Sequence, residues 1–309
     1  MEYILETFDL SKRYGNHWAL KKVNIHIAKG DVYGFVGENG SGKTTVIRLV
    51  TGLISPTEGH TNLFGISDRT KEVLSVRSKM GAIVEKPSIY LNMNAVDNLK
   101  MQCGILGITT DVQDKIRQVL IDVGLEEQLT TKKNAGDFSL GMRQRLGIAM
   151  ALLGEPELII LDEPMNGLDP TGIVEIRELI IKLNREKNIT FLISSHILTE
   201  LALVATKYGI ISKGELVKEI TAQELKNECR PTMQIKTPDR EKLCTLLGEF
   251  LPKDSFAPTG LGVKIVGDLR LNDLFQKIID AGIEIQSVNC YESSIEDYYL
   301  SLTGGEHNA

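Results

Sequence analysis

The stretch Gly37-Glu-Asn-Gly-Ser-Gly-Lys-Thr-Thr45 decides how the rest of the chain is read. It follows Asp31-Val-Tyr-Gly-Phe-Val36, an apolar run with the character of a short buried strand, and precedes Val46-Ile-Arg-Leu-Val50, which opens a helix. A glycine, four residues, then Gly42-Lys43-Thr44 is the spacing of a phosphate-binding loop. Glycines let the backbone wrap so that successive N–H groups converge on an anion, and the N-terminus of the following helix adds its dipole. Lys43 reaches β- and γ-phosphates as a point charge, and the Thr44 hydroxyl suits Mg²⁺, a hard cation that prefers oxygen. A plain flexible turn is the bland alternative, and the strand-loop-helix setting counts against it.

The 309 residues, 42% hydrophobic and 25% charged, are ordinary globular material, enough for one large domain and a smaller one. A net charge of −6 argues against a broad footprint for nucleic acid. Cys103, Cys229, Cys244 and Cys290 show neither a CxxC pair nor metal-ligand spacing, and read as reduced thiols of a cytosolic protein. No apolar run approaches the roughly 18 residues that cross a bilayer, and the start MEYILETFDL carries acids where a signal peptide carries basic residues. The expectation is a chain that neither spans nor crosses a membrane by itself.

Period-two alternation over Tyr3–Leu10, then Trp18–Leu20 and Val23–Ile27, predicts a small antiparallel sheet ahead of the loop. Helical spacing over Asp111–Val123 and Phe138–Leu153 makes the middle block mainly helical. The runs Leu158–Leu161 and Ile189–Ile193 read as strands buried on both faces, with Gly172–Lys187 as the crossover helix of a doubly wound α/β core. Beyond about residue 225, past a linker near Cys229-Arg-Pro231, the order is strand-helix-strand-strand-helix-strand. The segments are Met233–Thr237, Arg240–Phe250, Ser255–Ala257, Val263–Val266, Leu271–Ala281 and Ile283–Tyr291. This fits a ferredoxin-like α+β module with a last amphipathic helix over Ser294–Leu302.

Leu158-Ile-Ile-Leu-Asp162-Glu163-Pro164 sets two carboxylates at the end of a buried strand. Asp162 can hold a Mg²⁺ water shell opposite Thr44, while Glu163 can orient and deprotonate an attacking water. Taken alone, Asp-Glu-Pro fits an ordinary strand exit; the phosphate loop upstream gives it weight. His196 closes the next strand, Ser194-Ser195-His196, at the same carboxyl edge of the sheet. Ser139 reads as an N-cap with Gly141 in the first turn, either a second anion-seeking helix terminus or only a capping turn.

Taken together, these motifs resemble the nucleotide-binding subunit of ATP-binding cassette (ABC) transporters over residues 1–225. GENGSGKTT, FSLGM at 138–142, LIILDEP, GLD at 167–169 and SSH at 194–196 stand in that family's order and at similar spacings. The fold implied is a P-loop NTPase cassette, with a parallel sheet core, a small antiparallel β subdomain and an α-helical subdomain at about 87–154. An accessory domain over 226–309 follows. The resemblance assigns Tyr14 of KRYG to adenine stacking, with a plain surface tyrosine as the lesser alternative. It assigns Gly37, Asn39, Gly40, Ser41, Gly42, Lys43, Thr44 and Thr45 to ATP phosphates, Asp162 to Mg²⁺, Glu163 to the catalytic base and His196 to the γ-phosphate. It further implies that Ser139 and Gly141 complete the site of an opposite subunit, and that Asp169 couples the two sites across that interface.

The usual Leu-Ser-Gly-Gly-Gln segment reads Phe138-Ser-Leu-Gly-Met142, with Leu140 replacing a glycine and Met142 the glutamine, and Glu85 stands where a metal-facing glutamine is expected. A carboxylate at 85 can still ligate Mg²⁺. The acidic loop, SLGM, SHILTE and the ending Ser294–Gly305 are similar to the ATPases of bacitracin and lantibiotic exporters. That likeness implies a peripheral subunit on the cytoplasmic face of the cell membrane, paired as a homodimer or with a related cassette on a separate multi-span permease. The function it implies is export of, or protection against, a peptide antibiotic. Two alternatives stand beside it: an ATP-gated sensor with little turnover, and a soluble cassette ATPase working on nucleic acid or ribosomes. Against the latter are the single cassette, the absence of a long heptad run and the acidity.

Overall fold

Val32–Val36, Leu158–Asp162 and Thr190–Ser195 are buried at every position, which is why each is written as an almost unbroken apolar run: these strands are covered on both faces. The computed structural model describes residues 2–252, 255–267, 271–291 and 295–304. Within it the chain divides into two compact units, Met1–Ala222 and Gln223–Ala309.

The first unit opens with β1 (Tyr3–Tyr14), β2 (His17–Val23), β3 (His26–Ala28) and β4 (Val32–Val36), followed by α1 (Lys43–Val50). Next come β5 (Glu58–Leu63), β6 (Ile66–Ser67), α2 (Val73–Arg77) and β7 (Met80–Ile83), then α3 (Ala95–Leu106), α4 (Val112–Asp122) and α5 (Leu140–Leu152). It closes with β8 (Leu158–Asp162), α6 (Pro170–Lys187), β9 (Thr190–Ser195), α7 (Leu198–Ala202), β10 (Lys207–Ser212) and β11 (Glu215–Thr221).

Six strands form the central sheet in the order β11-β10-β4-β9-β8-β7, parallel throughout except for the antiparallel edge β11. A second sheet, β2-β1-β5-β6 with β3 also on β1, is antiparallel. One core joins the two sheets: Tyr33, Phe35, Leu158, Ile160 and Leu192 meet Leu5, Leu10, Leu20, Ile25 and Leu63, with Ile47 of α1 among them. The antiparallel sheet thus draws on strands both before and after the phosphate loop, where the sequence predicted only those before it. β7, β10 and β11 carry no sequence marker strong enough to announce them. β7 is only four residues long, β10 holds a lysine and a glycine ahead of its short apolar pair, and the exposed positions of β11 break its apolar run.

Local chemistry sets the helix ends. Asn94 caps α3 by accepting the Asp97 N–H at 2.8 Å, and Gly107, at φ 70°, ends it. Ser139 caps α5 by accepting the Met142 N–H at 3.2 Å. Asp169 caps α6 by accepting the Gly172 N–H at 3.1 Å, with Pro170 in the first turn. The helix after the phosphate loop starts at Lys43, three residues earlier than its apolar spacing indicates, because Gly42 adopts φ 111° and turns the chain directly into it.

The second unit contains α8, which begins at the boundary (Ala222–Glu228), then β12 (Thr232–Lys236), α9 (Arg240–Gly248), β13 (Phe256–Thr259) and β14 (Gly262–Val266). It ends with α10 (Leu271–Asp280), β15 (Ser287–Tyr291) and α11 (Ile295–Thr303). Its sheet runs β13-β14-β12-β15 with every neighbour antiparallel, the split βαβ order. Ile235, Val263 and Ile265 pack against Leu243 and Leu247 of α9 and Leu274 and Ile278 of α10. The last strand begins at Ser287, four residues later than predicted, after a turn through Gly282 at φ 63°. Ser294 and Gly305, the ends of the similar C-terminal stretch, lie outside the described residues.

Candidate functional site

The parallel strands β4, β9 and β8 are neighbours, and their carboxyl ends lie side by side: Val36 is level with Ser195, and Asp162 with Ser194. This register brings the phosphate loop, Glu163 and His196 to one edge of the sheet, the place where open α/β sheets bind ligands.

Only glycine fits the start of the loop. A Cβ on Gly37 would lie 2.5 Å from both the Ile211 carbonyl oxygen and Ser41 Oγ, and one on Gly42 would lie 2.6 Å from Leu20 Cδ2. Asn39, Gly40, Gly42, Lys43, Thr44 and Thr45 line a cavity of about 220 Å³, and Glu163 joins them across the strand edge. Lys43, 5% exposed, donates from Nζ to the Gly37 carbonyl at 2.6 Å and the Glu38 carbonyl at 3.1 Å. The same ammonium stands 3.3 Å from Glu163 Oε1. Glu163 Oε2 is 2.8 Å from His196 Nδ1, so one carboxylate bridges a lysine and a histidine.

Two hydrogen bonds hold Glu163 in place: its N–H donates to the Ser194 carbonyl at 3.2 Å and to Ser194 Oγ at 3.0 Å. They fix a left-handed backbone, φ 50°, that non-glycine residues adopt rarely. The Ser194 hydroxyl in turn donates to Asp162 Oδ1 at 2.6 Å. Ser194 therefore positions both carboxylates.

The residues present fit a nucleotide. The Ser41 hydroxyl is buried and has no hydrogen-bond partner among the described residues, an arrangement that costs stability unless a ligand oxygen completes it. Gly40 and Gly42 adopt left-handed backbone, φ 82° and 111°, which lets the loop curl around an anion. Asp162 is 3% exposed and accepts its one side-chain hydrogen bond among the described residues from Ser194; the Thr44 hydroxyl has none.

Other predicted site residues lie elsewhere in the protomer. Tyr14 is 46% exposed, with Lys12 Nζ 5.3 Å from its ring centroid, and does not line the phosphate-loop cavity. Ser139, Gly141 and Asp169 do not line it either; the first and last are occupied as caps of α5 and α6. Glu85 is ion-paired with Arg48 of α1 and lines a separate cavity of about 510 Å³ with Glu163 and Leu140.

Several residues at the site escaped the sequence reading, Ala19 and Ser194 among them. His17 lines the phosphate-loop cavity because β2 pairs back on β1, Tyr14 opposite His17 across the two-residue turn Gly15-Asn16. The hairpin was the one signal that pointed to it. Arg48 reaches Glu85 from α1, and only its position four residues after Thr44 could have drawn attention to it.

Comparison with known proteins agrees with this geometry. Residues 20–166 match the family described as ABC transporter. The bacitracin transport ATP-binding protein BcrA of Bacillus licheniformis is 42% identical over 99% of both chains, and that of Enterococcus faecalis is 37% identical over 99% of this chain and 98% of its own. The lantibiotic transport ATP-binding protein SrtF of Streptococcus pyogenes is 41% identical over 70% of this chain and 90% of its own. Among solved structures, an ATP-binding subunit of an ABC transporter superposes with a TM-score of 0.62 at 27% identity, covering 73% of this chain and 92% of that one. A dimeric cassette in a post-hydrolysis state bound to ADP and phosphate gives a TM-score of 0.62 at 24% identity over 71% of this chain and 98% of that one, which speaks for the fold. The chain belongs to the ATP-binding, ATP-hydrolysing subunits of ABC transporters.

Proposed function

We propose that this chain is the ATPase of an exporter that removes, or protects the cell against, a bacitracin- or lantibiotic-like peptide, working on a separate membrane permease. The full-length likeness to two bacitracin transport proteins supports the substrate class, since it extends through the second unit, whereas the lantibiotic relative matches 70% of this chain. Among the described residues no helix is long and apolar enough to cross a membrane, and the reading assigns the spanning part to a separate permease. Tyr90, Leu91, Met101, Ile105 and Leu106, exposed around the start and along the length of α3, offer it an apolar face.

The observation that carries the ATPase reading is the Lys43–Glu163–His196 line beside a loop with an orphaned hydroxyl. Lys43 and the loop N–H groups hold the phosphates. Glu163 accepts a proton from the attacking water as the water oxygen bonds to the γ-phosphorus and the bond to the ADP oxygen breaks. His196, braced by Glu163, supplies a donor toward the γ-phosphate. Thr44, Asp162 and Glu85 are the oxygen donors for Mg²⁺, which when bound neutralises charge on the phosphates.

Gly141 supports pairing of two cassettes. A Cβ there would meet nothing closer than 3.9 Å, so the fold of the protomer does not require glycine at that position. The bare backbone serves a close approach from outside, with Ser139 and Gly141 facing the phosphates of the opposite subunit and Asp169 at the same interface.

The test is detergent extraction of the tagged chain from its native membranes, with and without Glu163→Gln. A stoichiometric hydrophobic partner, ATP turnover lost in the variant and peptide sensitivity on deletion are expected. A chain recovered alone or on ribosomes would end the transport reading, and a partnered chain without turnover would make it a sensor.

A further inference from the structure

Glu85 leaves the end of β7 in a left-handed conformation, φ 62°, and its Oε1 accepts a hydrogen bond from Arg48 Nη2. Arg48 lies four residues after Thr44 on α1, so the two side chains share one face of that helix about one turn apart, roughly 5–6 Å. The carboxylate is thus parked a turn away from the hydroxyl that begins the metal site, in a cavity that Thr44 does not line. Two residues on, Pro87 sits in the notch left by Gly147 of α5, where a Cβ would come within 2.6 Å of the proline ring. Glu85 is therefore held between the phosphate-loop helix on one side and a segment anchored to α5 on the other.

Charge is what makes this parking place work. A guanidinium fork matches a carboxylate and has far less hold on a neutral amide. The pair is also open to solvent, its side chains 40% and 59% exposed, so it is weak enough to be exchanged for a stronger partner.

We propose that Arg48 is a positioning residue that keeps the Glu85 carboxylate in reserve, so that a divalent cation arriving with nucleotide recruits Glu85 only by displacing the guanidinium. This rests on the metal reading given above and adds to it a residue that sets how much cation the cassette needs. Removing Arg48 frees Glu85 for the cation; removing the charge of Glu85 leaves Arg48 nothing to hold.

The experiment uses the full chain and a fluorescent non-hydrolysable ATP analogue, titrated with Mg²⁺ from excess chelator. Arg48→Ala is expected to lower the half-saturating Mg²⁺ roughly threefold, the scale of an exposed ion pair, while Arg48→Lys stays near the parent. Glu85→Gln raises the midpoint, and the double variant matches Glu85→Gln alone. Analogue affinity in chelator stays the same in all four. Both side chains reach solvent, and unchanged thermal midpoints confirm that the variants fold. An Arg48→Ala shift that is absent, or that persists in the Glu85→Gln background, overturns the proposal, as does an unmoved midpoint in Glu85→Gln. Failure of the parent chain to bind the analogue at all overturns the nucleotide reading instead.

Discussion

Lys43 Nζ lies 3.3 Å from Glu163 Oε1, although the two residues follow strands of the sheet, β4 and β8, that are separated by β9. The ammonium that a phosphate would claim is shared between this carboxylate and two loop carbonyls. Substituting Glu163→Gln keeps the shape and the lysine while removing the proton acceptor. Turnover measured by phosphate release should fall roughly 10²–10⁴-fold, with nucleotide affinity within a few-fold of the parent. A parallel collapse of affinity would show that Glu163 is needed to build the pocket.

Space around Gly141 separates a role inside the protomer from one outside it. Gly141→Ala adds a methyl that meets nothing nearer than 3.9 Å. Stability by urea unfolding should be unchanged or higher by up to about 1 kcal/mol, because alanine favours the helix. ATP-driven dimerisation of the Glu163→Gln chain, followed by size-exclusion chromatography, should nevertheless weaken. Dimerisation equal to the parent would remove Gly141 from the interface.

Asp169 is held by a simpler duty, capping α6 through the Gly172 N–H. Asp169→Ala should cost about 0.5–2 kcal/mol in urea, whereas Asp169→Ser, itself a good cap, should cost little. If Asp169 also couples two sites, Asp169→Ser will keep stability and lose cooperativity in ATP turnover. Turnover that tracks stability across both variants would leave only the cap.

The cysteines should differ in reactivity. Cys103 is 1% exposed, and burial pushes its thiol above the usual range, while Cys290 is exposed. A raised, buried thiol holds less thiolate and is shielded from reagent, so Cys103 should be alkylated more slowly than the exposed Cys290. Peptide mass spectrometry after timed iodoacetamide treatment reads both; early labelling of Cys103 in the native chain would mean that α3 opens readily.

What the sequence determined by itself is local. The glycines of the loop, the apolar runs of β4, β8 and β9, and the caps Ser139 and Asp169 obey short-range rules of sterics and hydrogen bonding that a few adjacent residues satisfy on their own. Those rules located the phosphate loop and the strand ends carrying Asp162, Glu163 and His196. Tertiary structure alone decided which ends meet. The order β4-β9-β8 sets Glu163 against Lys43 and lets one serine, Ser194, position two carboxylates. The hairpin turns His17 toward the loop. Glu85, which the resemblance assigns to the metal, is ion-paired with Arg48. An ion pair between a helix face and a strand end depends on the packing of α1 and β7 in three dimensions, and no spacing along the chain records it.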